Sequence, residues 1–272
     1  MKKIPSSKLY VSEPNPVHFG NGPNPQNDPN WTNKNWLKSR FHFSFAEYRS
    51  WTNQHFGCLR VMNDDLIQPS RGFGEHGHAN MEIISYIVDG ELTHQDSMGT
   101  SESLGRGAVQ FMSAGTGVRH SEHNLHPTIP ARLIQSWITP RRKGVQPNYG
   151  SARGDSCNRK NQWAHILSDV ENKEVDTKVK VHQDVNMYVT EMEPGVALPI
   201  VISGERQAYL LQIEGSATYV DQKNVPRASV LEQHDAMEIS GGNDLSVTAG
   251  SGGAHILYFE MAEVPGSGRE DL

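Results

Sequence analysis

The stretch Gly74-Glu75-His76-Gly77-His78-Ala79-Asn80-Met81-Glu82 decides the fold. His76 and His78 are two residues apart, and side chains with this spacing leave the same face of a β-strand. The stretch His120-Ser121-Glu122 repeats the spacing 44 residues later. Two neighbouring strands that each present such a pair inward would bring four ligand groups to one point. The sequence therefore predicts a metal centre on paired strands, with these ligands: His76, His78, His120 and Glu122.

The residue types of this set restrict the metal. Three neutral imidazoles and one carboxylate suit Fe(II), Ni, Co, Mn or Zn, whereas Ca and Mg prefer shells made of oxygen. Four protein ligands on an octahedral ion leave two positions open, which is typical of a centre that carries out chemistry. Imidazoles must be neutral to bind a metal, so we predict that the metal is lost on acidification toward pH 5.

The rest of the chain has the sequence pattern of a protein built from β-strands. From about Phe41 onward, short apolar runs are broken at close intervals by Gly, Asp or Asn, which indicates many short strands in a sandwich or barrel. Residues 83–94 are predicted to form a hairpin that turns at Asp89-Gly90. Residues 209–220 repeat the pattern, with Glu214-Gly215 lying 125 positions after Asp89-Gly90. This repetition predicts two similar β-domains in tandem.

Composition excludes several classes of function. With 31 acidic and 25 basic residues the net charge is −6, which offers no basic surface for direct contact with nucleic acid. The two cysteines, Cys58 and Cys157, are too few for a disulfide framework and favour a reducing compartment. Neither a signal-peptide core nor an apolar run of membrane-spanning length is present. We expect a cytoplasmic protein, with a nuclear or organellar location left open.

The two histidine stretches also carry a family resemblance. Residues 74–90 resemble the first cupin motif, and residues 107–127 resemble the second. Within the cupins, the chain is similar to the pirin family and especially to its bacterial quercetinase-like branch. The resemblance is dense over residues 36–140, and four further runs carry it: residues 41–46, 59–65, 94–99 and 112–117.

The resemblance implies an all-β bicupin, with two tandem antiparallel β-barrel or jelly-roll domains and a few short helices. In pirins the first barrel binds one metal ion, usually iron, through three His and one Glu. Transferred by position, these ligands are the four already predicted. In the wider cupin superfamily, the acidic residue at the position of Glu82 can also be a metal ligand. The pirin pattern takes its carboxylate from Glu122 instead, so Glu82 is expected to contact the ligands rather than the ion. Gly77 stands where the family usually has Pro, which puts the rigidity and affinity of the site in question.

The predicted organisation has five parts. The second barrel is expected to be metal-free, because the 125-residue offset maps His76 and His78 onto Val201 and Ser203. The parts are an irregular N-terminal arm (1–35), the metal-binding cupin barrel (36–145), an interdomain crossing (146–164), the metal-free cupin barrel (165–262) and a flexible tail (263–272).

The resemblance implies a metal-dependent dioxygenase that cleaves flavonols such as quercetin with O₂, with Glu122 accepting the substrate proton. The cofactor would be one divalent ion, Fe(II) in the first place, with Ni, Mn, Co, Cu or Zn as alternatives. Phe111, Met112 and Met62 are candidates either for apolar pocket walls or for plain core. The alternative function is a non-enzymatic, iron-binding redox sensor that acts as a transcription cofactor through protein partners. A metal-dependent isomerase or sugar-binding cupin is a third hypothesis.

Overall fold

A computed structural model describes residues 1–21, 36–156, 158–223 and 228–263. Most of the predicted tail and residues 22–35 of the predicted arm lie outside this part of the chain. The regular secondary structure of the described residues is β-strand, apart from three short 3-10 helices at Ser6–Lys8, Pro16–Phe19 and Gly154–Ser156. Among them, no helix combines the length and apolar character that a membrane span requires. The all-β prediction is confirmed.

The strands run in chain order as follows: β1 Lys2–Ile4, β2 Tyr10–Ser12, β3 Leu37–Phe41, β4 Leu59–Ile67, β5 Arg71–His78, β6 Glu82–Asp89, β7 Glu91–Asp96, β8 Ser101–Gly105, β9 Val109–Ser113, β10 Val118–Asn124, β11 Ala131–Ile138, β12 Asn148–Ala152, β13 Ala164–Asp169, β14 Val179–Val181, β15 Val185–Met192, β16 Ala197–Val201, β17 Arg206–Asp221, β18 Ala228–Glu232, β19 Ala236–Ile239 and β20 Asp244–Ala262.

Residues 10–156 form the first of two compact units. One of its sheets has four strands in the order β5-β10-β7-β8, and the other has seven in the order β12-β9-β6-β11-β4-β3-β2. Burial alternates along β3 and β10, which is the pattern of strands with one face on a core, whereas β6, β9 and β11 are buried at nearly every position. One end of that core is a cluster of apolar side chains: Trp36, Leu37, Ile67, Ile87, Leu92, Leu104, Ala108 and Leu133.

The hairpin predicted at Asp89-Gly90 is wrong, because the chain changes sheet there. Strand β6 pairs with β9 and β11, whereas β7 pairs with β8 and β10. Gly90 has φ of 69°, and a Cβ at this residue would lie 2.2 Å from the carbonyl oxygen of Pro130. Glycine is therefore required at this corner by its backbone conformation and by the close approach of the neighbouring chain.

The second unit comprises residues 1–9 and 157–272. In its nine-stranded sheet, β16, β20, β17 and β18 pair in that order, which repeats the arrangement of the four-stranded sheet. The hairpin predicted at Glu214-Gly215 is also wrong, because β17 continues through both residues with irregular register. Gly215 repeats the features of Gly90, with φ of 67° and a Cβ position 2.2 Å from the carbonyl oxygen of Gly253. The repeat in the sequence therefore corresponds to two glycines that share a positive φ and a close backbone neighbour, and it does not correspond to two hairpins.

The chain is divided between the units differently from the sequence prediction. Residues 1–9, expected in an irregular arm, belong to the second unit, where β1 pairs with β19. Residues 10–21 belong to the first unit, where β2 pairs with β3. Strand β12 lies inside the predicted crossing and pairs with β9 as part of the first barrel. Sequence composition could not show these pairings, since they join residues that are far apart in the chain.

Candidate metal centre

Three of the four predicted ligands converge. Strand β5 supplies His76 and His78, and β10 supplies His120, which lies directly opposite His76 in the antiparallel register. The Nε2 atoms of His120 and His76 are 3.1 Å apart, and His78 has its ring centroid 4.9 Å from that of His120. One ring nitrogen from each residue lies within 4.8 Å of the others. The i/i+2 spacing thus places the imidazoles as expected on neighbouring strands.

This geometry fits a divalent ion. Two imidazole nitrogens that bind one ion at about 2.1 Å are separated by about 3.0–3.4 Å, depending on the angle between them. The observed separation of 3.1 Å for His76 and His120 falls in this range. The Nδ1 atom of His76 lies 2.8 Å from the carbonyl oxygen of Gly74. Because a carbonyl can only accept, Nδ1 carries the proton and Nε2 keeps its lone pair for the metal.

Glu122 reaches the site from a different direction. With His94 and His120 it forms a second group of possible ligands, which overlaps the triad at His120. Its side chain is buried and accepts hydrogen bonds from Ser85 Oγ at 3.0 Å and from Gln110 Nε2 and Gln135 Nε2 at 2.7 Å each. A carboxylate has about four lone-pair positions, so three bonds leave one for an ion. The carboxylate is held in place from the facing sheet, and it stands next to the imidazole of His120.

His94 and Asp96, on β7, complete the surroundings of His120. Their spacing repeats the i/i+2 pattern, and His94 Nε2 lies 3.0 Å from Asp96 Oδ2. The Nδ1 atom of His94 lies 3.5 Å from Nδ1 of His120, on the side of the His120 ring that faces away from the triad. No role was predicted for either residue from the sequence. The spacing that identified the ligands could have found this pair as well.

Burial sets the electrostatics of the centre. It lowers the pKa of His78 to about 4, and the neighbouring His120 and His76 contribute in the same direction. It lowers the pKa of His120 to about 3, again with contributions from His76 and His94. Burial acts to raise the pKa of Asp96, but hydrogen bonds from His94 and from the backbone at Thr100 and Met98 outweigh it, and the pKa is lowered. His78 and His120 are thus neutral, and Asp96 is an anion, at neutral pH.

A cavity of about 540 Å³ opens beside the ligands His76, His78 and Glu122. Five of its lining residues are aromatic: Phe19, Phe41, Phe45, Phe73 and Trp137. The candidates Phe111, Met112 and Met62 are buried in the core instead and do not line the cavity. Glu82 also lies away from it, with a carboxylate that accepts a hydrogen bond from Ser113 at 2.5 Å.

The described part of the predicted arm forms part of the cavity lining, at Ser12, Pro14 and residues 18–20. Phe19 packs against Trp36 with ring centroids 4.9 Å apart, and Asn21 Nδ2 donates to the carbonyl oxygen of Gly72 at 2.9 Å. This segment is therefore docked on the barrel next to the metal-binding strand β5.

The second barrel has apolar residues on the corresponding strands. Leu245 and Val247 of β20 lie opposite Ile200 and Leu198 of β16, and all four belong to the apolar core of this unit or pack against it. Val201, onto which the constant offset mapped His76, is 64% exposed. The constant offset of 125 residues therefore does not hold along β16. His76 lies opposite His120 in the pairing of β5 with β10, whereas Ile200 lies opposite Leu245 in the pairing of β16 with β20.

Comparison with known proteins gives matches to both barrels. Residues 25–138 match the family model described as Pirin. Residues 166–261 match the model described as the quercetinase C-terminal cupin domain. Two relatives cover large shares of the chain. The quercetin 2,3-dioxygenase of Escherichia coli K12 is 36% identical over 88% of this chain and 97% of that protein. The pirin-like protein of Caulobacter vibrioides is 37% identical over 66% of this chain and 76% of that protein.

Solved structures agree with these matches. The crystal structure of YhhW from Escherichia coli has a TM-score of 0.75 and 32% identity, and the alignment covers 94% of this chain and 98% of that one. The structure of the same bacterial pirin in complex with nickel(II) has a TM-score of 0.73 and 30% identity, with 94% and 100% covered.

Proposed function

Because the chain belongs to the pirin family, we propose that it is a metal-dependent dioxygenase that cleaves a flavonol such as quercetin with O₂. The observation that carries the proposal is the convergence of three imidazoles, with the carboxylate of Glu122 next to His120, at an aromatic-lined cavity of about 540 Å³, since cavities of this size suit small organic ligands. The Escherichia coli relative named quercetin 2,3-dioxygenase supports the reaction class. The nickel(II) complex of the bacterial pirin supports a single divalent ion.

In this proposal, His76, His78 and His120 hold the ion and Glu122 is the fourth ligand. When bound, a divalent ion supplies the Lewis acidity that lowers the pKa of a coordinated hydroxyl. Iron(II) is the first metal to test, and the donor set also accommodates Ni, Mn, Co, Cu and Zn. Cleavage adds both atoms of O₂ to the flavonol, opens its central ring and releases one ring carbon as carbon monoxide.

The residues around the ion have separate tasks. Glu122 accepts the hydroxyl proton of the substrate, for which its carboxylate must be free to exchange one of its contacts. The amides of Gln110 and Gln135 and the hydroxyl of Ser85 keep the carboxylate oriented. The aromatic rings along the cavity bind the flat substrate by stacking and keep water away from the reacting ring.

The test is turnover of quercetin by protein reconstituted with each metal in turn. Loss of the visible absorbance of quercetin in air, together with release of carbon monoxide, is the expected result for at least one metal. His120→Ala should abolish both metal loading and turnover, and Glu122→Gln should abolish turnover. His55→Ala, at an exposed histidine of the same barrel, is the matched control and should keep both. Absence of turnover with every metal would overturn the enzyme proposal and favour the redox-sensor alternative.

A further inference from the structure

Three polar side chains form a patch on the cavity wall contributed by β3 and β4. Ser39 pairs with Asp65, and Phe41 pairs with Asn63, in the register of these two strands. Ser39, Asn63 and Asp65 all line the cavity. Their exposed fractions are 1%, 3% and 2%. Polar groups buried to this extent in a barrel interior need hydrogen-bond partners.

The residues that the structure describes leave one group of this patch without a partner. The hydroxyl of Ser39 donates to Oδ1 of Asp65. The side-chain oxygen of Asn63 is buried and receives no hydrogen bond from any residue that the structure describes. A buried acceptor without a donor destabilises the fold. Its position on a cavity wall indicates that a donor enters from the cavity.

The carboxyl of Asp65 adds a second group that can bind a donor. Burial raises the pKa of Asp65 to about 7; the hydrogen bond from Ser39 acts in the opposite direction, and the charges of Asp64 and Glu122 raise the pKa further. Near neutral pH the carboxyl can therefore accept a hydrogen bond in one protonation state and donate one in the other. Hydroxyl groups, which both donate and accept, are complementary to such a patch.

Aromatic rings connect this patch with the metal ligands. The ring centroids are 4.8 Å apart from His78 to Trp137, 5.2 Å from Trp137 to Phe45 and 5.3 Å from Phe45 to Phe41. Asn63 also lies beside Gln135 in the register of β4 and β11, and Gln135 donates to Glu122. A flat aromatic ligand held at the imidazoles would thus extend along an aromatic wall toward the polar patch.

We propose that Ser39, Asn63 and Asp65 form a subsite that recognises phenolic hydroxyl groups of the substrate other than the group bound by the metal. This inference rests on the proposed function and narrows its substrate class to polyhydroxylated flavonols. The aromatic wall binds the ring system of any flavonol, and the subsite provides preference among them. An analogue without these hydroxyls leaves the side-chain oxygen of Asn63 unpaired when it displaces water from the cavity.

Binding of two flavonols tests the subsite directly. Quercetin and 3-hydroxyflavone share the 3-hydroxyl and the 4-carbonyl, but 3-hydroxyflavone lacks the four other hydroxyls. Dissociation constants for both are measured by fluorescence quenching on the full-length, nickel-loaded protein without O₂. We expect the wild-type protein to bind quercetin at least about tenfold more tightly, which corresponds to one or two hydrogen bonds. Galangin keeps the 3-, 5- and 7-hydroxyls and lacks the two hydroxyls on the pendant phenyl ring. Its affinity therefore identifies the ring that the subsite contacts.

Three variants separate the subsite from the rest of the cavity. Ser39→Ala, Asn63→Leu and Asp65→Asn should each weaken binding of quercetin and leave binding of 3-hydroxyflavone within about twofold. Ser136→Ala is the matched control, because Ser136 is equally buried on β11 but does not line the cavity. Nickel content and near-ultraviolet circular dichroism verify that each variant is folded and loaded.

The outcomes distinguish this inference from the proposed function. Equal affinity of the wild-type protein for the two flavonols would overturn the subsite and leave the proposed function intact; the buried acceptors would then be satisfied by water alone. A preference for quercetin that all three folded variants retain would also overturn it. Failure of the nickel-loaded protein to bind either flavonol would overturn the proposed function and the subsite together.

Discussion

The ring nitrogens that face away from the metal centre are held by different partners. His76 donates from Nδ1 to the backbone carbonyl of Gly74, which no side-chain substitution removes. His120 depends on a side chain, since its Nδ1 faces Nδ1 of His94. Asp96 accepts from Nε2 of His94, which leaves His94 Nδ1 as the acceptor for His120 Nδ1–H. The orientation and tautomer of His120 are thus set by two successive hydrogen bonds, from His120 to His94 and from His94 to Asp96.

Asp96→Asn should weaken metal binding although Asp96 is not a ligand. The amide would present a donor or a weaker acceptor to His94, which favours the other tautomer and places two N–H groups against each other at His94 and His120. We expect about a 10- to 100-fold loss of nickel affinity, measured by competition with a chelator of known affinity. Asp176→Asn, at an exposed aspartate, is the control. An unchanged affinity in folded Asp96→Asn would show that His94 does not orient the ligand.

The lowered histidine pKa values predict that the metal is retained to lower pH than the sequence alone suggested. Unperturbed imidazoles would release it toward pH 5, but the pKa of His78 is about 4 and that of His120 is about 3. Protons compete with the metal only below the folded-state pKa, so release should occur as the pH falls through about 4. Metal content after dialysis from pH 7 to pH 3.5, with circular dichroism to monitor folding, measures this. Loss of most of the metal by pH 6 from folded protein would contradict the prediction.

At the scale of strands, the predicted ligands His76, His78 and His120 lie together as the sequence indicated, because their pattern is local. Alternation along a strand fixes which side chains share a face, so His76 and His78 could be assigned to one face from spacing alone. The hydrogen bonds to Glu122 were not predictable in this way. Gln110 and Gln135 come from the facing sheet, and their place opposite Glu122 depends on how the two sheets are stacked.

The turn signals were located correctly and interpreted wrongly. Asp89-Gly90 and Glu214-Gly215 have residue types that favour a tight hairpin turn, and the glycine of each pair does have a positive φ. Whether the strands on either side then pair with each other depends on long-range neighbours. At Gly90 the backbone of Pro130 and Ala131 occupies the space where a Cβ would be, and the chain passes to the other sheet.

Gly90→Ala should destabilise the first barrel more than an ordinary substitution of a glycine with positive φ. The Cβ would lie 2.2 Å from a backbone oxygen that cannot move away freely. Gly99→Ala is the matched control, because Gly99 also has positive φ, 94°, but nothing lies within 4 Å of its Cβ position. We expect Gly99→Ala to lower the free energy of unfolding in urea by about 1 kcal/mol and Gly90→Ala to lower it by about 2 kcal/mol more. Equal losses would show that the backbone around Gly90 can move to make room for the Cβ.

At the scale of the whole chain, the two units share one strand arrangement but obtain one edge strand from different parts of the sequence. In the first unit β12, which follows the barrel strands in the chain, pairs with β9. In the second unit the equivalent edge position, next to β19, is taken by β1 from the N-terminus. A prediction that reads domains as consecutive segments therefore assigns residues 1–9 wrongly, because only pairing across more than 200 residues reveals where they belong.

Removal of residues 1–9 should therefore destabilise the second unit selectively. Beyond the pairing of β1 with β19, Lys3 lies 2.7 Å from Asp235, Ser6 donates its backbone N–H to the same carboxylate at 2.8 Å, and Met1 packs against the apolar core. We expect a lower unfolding temperature for this unit, by about 3 °C for each kcal/mol lost in a protein of this size.

Hydrogen exchange measured by mass spectrometry localises the effect of this deletion. Amides of Ala236–Ile239 should exchange faster once β1 is gone, because its ladder hydrogen bonds protect them. Amides of the metal-binding strands β5 and β10 belong to the other unit and should exchange as in the full chain, with nickel binding unchanged. Lys3→Met separates the ion pair from the strand and should give a smaller shift. Faster exchange in β5 or β10, or an unaltered β19, would contradict the assignment of this segment to the second unit.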